Sequence, residues 1–158
     1  MTHRRPPLIP ALAITLLAAC HAGPSSGAPA PAAASPTAGS LYHRVGGYDA
    51  LAAVVDDFLG RMLKDPDIEP FFHDLEPAEV QRVRQMLVDQ LCEATGGPCV
   101  YVGKDMRTVH TGLGITERHW SKAVAHLTAS LNAFHVGPQE QGEILSAVAA
   151  LKDQIVGQ

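Results

Sequence analysis

Four stretches of this chain place apolar residues at three- and four-residue spacing, each bounded by Gly or Pro, and this pattern leaves little choice of fold. Leu51, Val54, Val55, Phe58, Leu59 and Met62 share one stripe of a helix predicted to start near Tyr48 or Asp49, after Gly46-Gly47, and to stop before Pro66. Asp56, Asp57 and Arg61 fall on its opposite face. A second helix is predicted from Pro77, which suits a first turn, with Glu79 placed where the helix dipole favours an acid. Its inner stripe reads Val80, Val83, Leu87 and Leu91, and Gly96-Gly97 ends it. A third runs from the N-cap Thr116 through Trp120, Ala123, Val124, Leu127, Leu131 and Phe134 to a stop at Gly137. Pro138 opens a fourth, carrying Ile144, Leu145, Val148, Leu151 and Ile155. No segment shows convincing period-two alternation, so the predicted class is all-α.

The interval between the second and third helices is the anomaly. From Gly96 to Thr116 only Met106 to His110 has a short helical pattern. Structureless stretches of this length inside a small domain are uncommon and often functional. His110 is followed at once by Gly112 and Gly114. Glycine admits positive φ and lets the backbone approach another body closely. That arrangement suits a flat cofactor lying against the backbone with one imidazole reaching its centre, and neutral imidazole is the usual proximal ligand of haem iron.

The N-terminal part reads as processing and tether. Arg4 and Arg5 precede a short apolar stretch, Leu8 to Ala19, which is too short to stay as a membrane span. Residues 1–19 are therefore expected to be a signal peptide, and Cys20 after Leu17-Ala18-Ala19 resembles a lipoprotein box in which the thiol is acylated. Residues 20–40 are rich in Ala, Pro, Ser and Gly and read as a flexible tether. The expected domain is 41–158, exported and lipid-anchored in the cell envelope through Cys20, facing the periplasm from the outer membrane if the envelope is Gram-negative. Cleavage removes two of the twelve basic residues and none of the sixteen acidic ones, so the mature chain carries a net charge of −6. An acidic domain without a basic stripe argues against nucleic acid as a partner. Export also permits a disulfide between Cys92 and Cys99, which the sequence leaves undecided.

The run Tyr101 to Thr116, the two Gly-Gly pairs and Phe71-Phe72 together resemble the group I truncated haemoglobins, over roughly Leu41 to Val156. The resemblance implies a two-over-two helical sandwich around haem b, with His110 as the proximal iron ligand. The second ring nitrogen of His110 is then expected to donate to a backbone carbonyl. Phe72 matches a phenylalanine packed on the haem face, and Phe58 is expected to wall the pocket. Tyr101 and Met106 match positions at the haem edge, Tyr101 within reach of a propionate, with Lys104 and Arg107 as nearby cations.

The distal side departs from the family pattern. A tyrosine on the first main helix that bonds dioxygen in many members corresponds to Leu59. An assisting glutamine corresponds to Leu87, and Val83 lies one turn earlier. Gln90 is the one neutral polar side chain close by on that helix. A donor hydrogen bond to the partial charge of bound dioxygen is worth roughly 1.5–3 kcal/mol. Its loss predicts about ten- to hundredfold faster oxygen release. The resemblance thus implies a haem protein that reversibly binds a diatomic gas (oxygen, nitric oxide or carbon monoxide). A nitric oxide dioxygenase or peroxidase-like enzyme is the alternative and needs a reductase partner and a polar distal donor. A haem-free envelope-binding lipoprotein is the alternative of another class. His119, His126 and His135 read as solvated, and His73 as a remote candidate for a sixth ligand.

Overall fold

The structure is a computed structural model that describes residues 39–158; the expected signal peptide, Cys20 and all but the end of the tether lie outside the described residues. Eight helical elements follow one another, and no strand occurs among the described residues. They are α1 (Leu41–Arg44), α2 (Gly47–Met62), a 3₁₀ turn (Glu69–Phe71), α3 (Pro77–Ala94), α4 (Met106–His110), α5 (Glu117–Ala133), α6 (Pro138–Ala149) and a closing 3₁₀ turn (Lys152–Gln154). The helix α2 packs on both α3 and α5, α5 packs on α6, and α1 closes against α2 and α6. The two pairs, α2 with α3 and α5 with α6, make the expected two-over-two arrangement.

The helix limits follow from local chemistry. Gly46 precedes α2 at φ 100°, a left-handed value that glycine adopts without the Cβ penalty. At the start of α3 the Glu76 amide donates to the Glu79 carboxylate over 2.9 Å. Thr116 caps α5 by accepting from the His119 amide, and His119 Nδ1 accepts from the Thr116 amide at 3.2 Å in return. Four-residue α1 has no periodic signal in the sequence. It exists because Ser40 caps it and because the Tyr42 amide donates to the Thr95 carbonyl at the end of α3, 2.8 Å away.

The main core joins α2, α5 and α6 through Val54, Leu127, Leu131 and Ile144. Each such side chain contributes roughly 1.5–3 kcal/mol by leaving water. A second cluster joins α1, α2 and α3 through Tyr42, Leu51 and Cys92. Here a disulfide links Cys92 to Cys99, with Cα atoms 5.7 Å apart. The turn between the two cysteines demands glycine at position 97. A Cβ there would sit 2.5 Å from the Tyr42 ring and 2.6 Å from the Cys92 sulfur.

Two expectations are corrected. The deepest residues of α3 are Val88 and Cys92, whereas Val80, Val83 and Leu87 of the predicted inner stripe are only half-buried. Protein packs against α3 on a line rotated from that stripe. On α2, Asp57 is not a plain surface acid, because the fully buried Ser130 hydroxyl donates to it at 2.7 Å and Arg61 Nε at 2.6 Å.

Candidate functional site

His110 ends α4, a helix of little more than one turn that is too short to hold itself. Its start is fixed by Asp105, whose carboxylate accepts from the Thr108 amide at 2.9 Å and from the Thr108 hydroxyl at 2.6 Å. These bonds hold the Asp105 carboxyl below the usual carboxylate range. At its end Thr111 donates both its amide and its hydroxyl to the Arg107 carbonyl, at 2.9 and 2.7 Å. The chain then leaves through Gly112 at φ 85° and Gly114 at φ 65°.

His110 Nδ1 lies 2.7 Å from the Met106 carbonyl oxygen. A carbonyl only accepts, so Nδ1 carries a proton, and in the neutral ring the lone pair is then on Nε2. That is the tautomer a metal-ligating histidine requires, with its orientation set by an outer-shell carbonyl. The half-buried ring makes no hydrogen bond through Nε2 among the described residues. Donor type, tautomer and orientation therefore fit haem iron at Nε2. Among the described residues no cluster of three or more His, Cys, Asp or Glu offers another metal centre.

Met106 is buried at the start of α4, and its sulfur receives the Gln90 amide from α3 at 3.5 Å. Gln90 is thereby turned toward α4. Leu59 is buried on α2, and Phe58, Phe72, Val83 and Leu87 are half-buried. Phe58 packs against the core of α2, α5 and α6, and none of these five side chains carries a hydrogen-bond donor.

The tyrosine hydroxyls are engaged or placed elsewhere. Tyr48 accepts from Gln85 at 2.9 Å, and Tyr42 is buried in the second cluster. Tyr101 donates to the Lys104 carbonyl at 2.7 Å, with its ring over Gly103, where a Cβ would lie 2.3 Å from it. The expectation that Tyr101 reaches a propionate is corrected on this point, because its one donor is spent closing its own loop. Arg107 is likewise engaged, with the side-chain oxygen of Gln158.

Two histidines read as solvated are not. His126 Nε2 donates to Asp65 at 2.7 Å, and His119 caps α5 and stands edge-on to Phe71 with ring centroids 5.0 Å apart. His135 is exposed, as expected. His73 points out beside Glu69, at 3.5 Å, with a side chain 74% exposed. Asp65 is the hub of a network that periodicity does not reveal. It accepts from Lys122 at 2.7 Å, from His126, and from the Asp67 amide at 3.0 Å, which together hold its carboxyl well below the usual range. Beside it is an open depression of about 350 Å³ lined by Arg61, Lys64, Asp65, Pro66, Lys122 and His126. None of the predicted site residues lines it. Lys122 and Arg61 are neutralised there by Asp65, Asp67 and Asp57.

Comparison with known proteins agrees with this fold. Residues 40–157 match the model of the bacterial-like globin family. The chain is 37% identical over 116 residues to the group 1 truncated haemoglobin GlbN of Mycolicibacterium paratuberculosis, covering 73% of this chain and 83% of that one. It is 34% identical over 119 residues to a group 1 truncated haemoglobin of Chlamydomonas moewusii, covering 74% and 68%. The crystal structure of the Tetrahymena pyriformis truncated haemoglobin in its Fe(III) form superposes with a TM-score of 0.70 over 75% of this chain and 99% of that one, and at 24% identity this likeness speaks to fold. A helical lipoprotein without haem is therefore set aside: the chain is a bacterial-like globin of the group 1 truncated haemoglobin family, with haem iron as its cofactor.

Proposed function

We propose that this globin reversibly binds a diatomic gas at a haem whose iron is held by His110 Nε2. The observation that carries the reading is the 2.7 Å contact of His110 Nδ1 with the Met106 carbonyl, which leaves Nε2 as the basic nitrogen. The haem supplies the iron at which the gas binds. The residues of the chain orient the ring, wall the cofactor with apolar surface and keep water from it.

The distal composition argues for weak oxygen retention. Leu59, Val83 and Leu87 offer bound gas no donor. Gln90 is turned to Met106, the Tyr101 hydroxyl donates within its own loop, and the Tyr48 hydroxyl lies beside Gln85, from which it accepts. An oxygen complex lacking a donor bond worth roughly 1.5–3 kcal/mol releases oxygen about ten- to hundredfold faster than one that has it. A dioxygenase cycle, with the reductase partner it demands, needs oxygen held longer than that. Gas binding, transfer or sensing is the better use of this site.

The visible spectrum tests the reading. The reduced, haem-loaded protein is expected to show a strong Soret band that shifts on carbon monoxide, and stopped-flow mixing is expected to show fast oxygen release. A band indifferent to carbon monoxide would overturn the gas-binding reading, and a slow oxygen off-rate would overturn the distal one. We further propose that the domain is exported and anchored by acylation of Cys20. Labelled fatty acid should enter the full-length protein in cells and be lost in Cys20→Ser; equal labelling of the two would count against it.

A further inference from the structure

The short helix that carries His110 is bound on both flanks by one distant piece of chain. The Gly112 amide, two residues after the histidine, donates to the main-chain oxygen of Gln158 at 3.2 Å. The Gly157 amide donates to the Ile115 carbonyl at 2.9 Å. Before the histidine, Arg107 donates to the Gln158 side-chain oxygen. The Gln158 side chain is itself fixed, because its amide nitrogen donates to the Asp153 and Val156 carbonyls at 2.9 and 3.2 Å. Gly157 stands at φ 74° and Gly112 at φ 85°, so two left-handed turns face one another across these bonds. An L-residue pays a steric penalty at such values.

We propose that residues 155–158 form a proximal strap, and that Gln158 is a positioning residue for the iron ligand. The inference rests on the reading of His110 as that ligand. A helix of five residues has almost no stability of its own. Its rotation about its axis, and with it the direction of His110 Nε2, is set by what grips its two ends. Asp105 grips the start. The strap grips Arg107, Gly112 and Ile115 around the histidine. It acts one layer outside the Met106 carbonyl, which fixes the tautomer.

Three variants grade the strap. Deleting residues 157 and 158 removes all three bonds, Gly157→Ala strains the turn, and Gln158→Ala removes only the side-chain bonds. Resonance Raman of the reduced, haem-loaded protein reads the iron–histidine stretching band. Transfer of haem to excess apomyoglobin reads how tightly it is held. The deletion is expected to shift or broaden the band and to speed haem transfer by about tenfold, the low end for loss of an outer-shell support. Gln158→Ala should change both in the same direction by less. An unchanged band and an unchanged transfer rate in the deletion and in Gln158→Ala would overturn the strap. If the shortened chain fails to fold, the two point variants decide by the same two readouts. Absence of an iron–histidine band in the unaltered protein, or its persistence in His110→Ala, would instead overturn the ligand assignment, and the strap with it.

Discussion

The framework of α2, α5 and α6 and the segment from Thr95 to Thr116 are held together by different physics. In the framework, apolar side chains at helical spacing meet one another, and Leu131 and Ile144 are 1% exposed. Between Thr95 and Thr116, Val102 is 76% exposed and Val109 and Leu113 are exposed at 41% and 42%. That segment keeps its shape through discrete pins: the Cys92–Cys99 disulfide, the Tyr101–Lys104 closure, the Asp105 cap and the bonds to Gly157 and Gln158. A packed core fixes a fold by area, and loss of one side chain is felt throughout. A pinned loop fixes a few atoms by single bonds, which leaves its outer surface open. The candidate iron ligand sits in the second kind of region.

The largest effect expected from this contrast is in the core. Leu131→Ala should destabilise the fold by about 2–5 kcal/mol, whereas Val102→Ser should stay within about 0.5 kcal/mol. Paired urea titrations of the two variants check it, and similar losses in both would break the distinction. Reduction of the disulfide comes next. Closing so short a loop is worth about 2.5 kcal/mol in the chain-entropy account. Reduced protein should melt at a lower temperature, and the amides of residues 96–105 should exchange faster while those of α5 do not. Equal loss of protection in both regions would show the loop and the framework to be one unit.

A smaller effect concerns Asp65, which ties the connection after α2 to α5 through Lys122 and His126. Its folded carboxyl is held below its unfolded value, so the folded state binds fewer protons and stability rises with pH in that window. The contribution is complete above the ordinary Asp value, about pH 4, and is lost as pH falls toward the depressed one. Asp65→Asn is expected to be less stable at neutral pH and to have a shallower acid limb in an unfolding series from pH 7 downward. Parallel acid limbs in the two proteins would contradict the assignment.

The same contrast explains what the sequence disclosed. The starts of helices α2, α3, α5 and α6 are legible within a residue or two because Gly46-Gly47, Pro77, Thr116 and Pro138 punctuate strong apolar periodicity, whereas the fourth helix, expected to carry Leu151 and Ile155, ends at Ala149 and gives way to a 3₁₀ turn. On α3 the chosen stripe was Val80, Val83, Leu87 and Leu91. The buried line through Val88 and Cys92 is spaced by four as well, so periodicity alone did not separate the two faces. His110 stands out as the candidate iron ligand because two glycines follow it in a long interval whose one helical pattern is the short run from Met106 to His110. The Asp65 network and the Gln158 strap were not legible. Their partners lie 61 and 51 residues apart, and single polar pairs at such distances leave no periodic trace. Family resemblance carried the pocket lining, Phe58, Phe72, Leu59, Val83, Leu87, Tyr101 and Met106, beyond what spacing supports.

The central claim is that one imidazole, that of His110, holds the haem iron. Replacement by glycine followed by addition of free imidazole tests it most directly. His110→Gly is predicted to lose the Soret band and its response to carbon monoxide, and to regain both when imidazole fills the space left beside the Met106 carbonyl. A His110→Gly protein that keeps the spectrum and carbon monoxide response of the unaltered chain, without imidazole, would contradict the account.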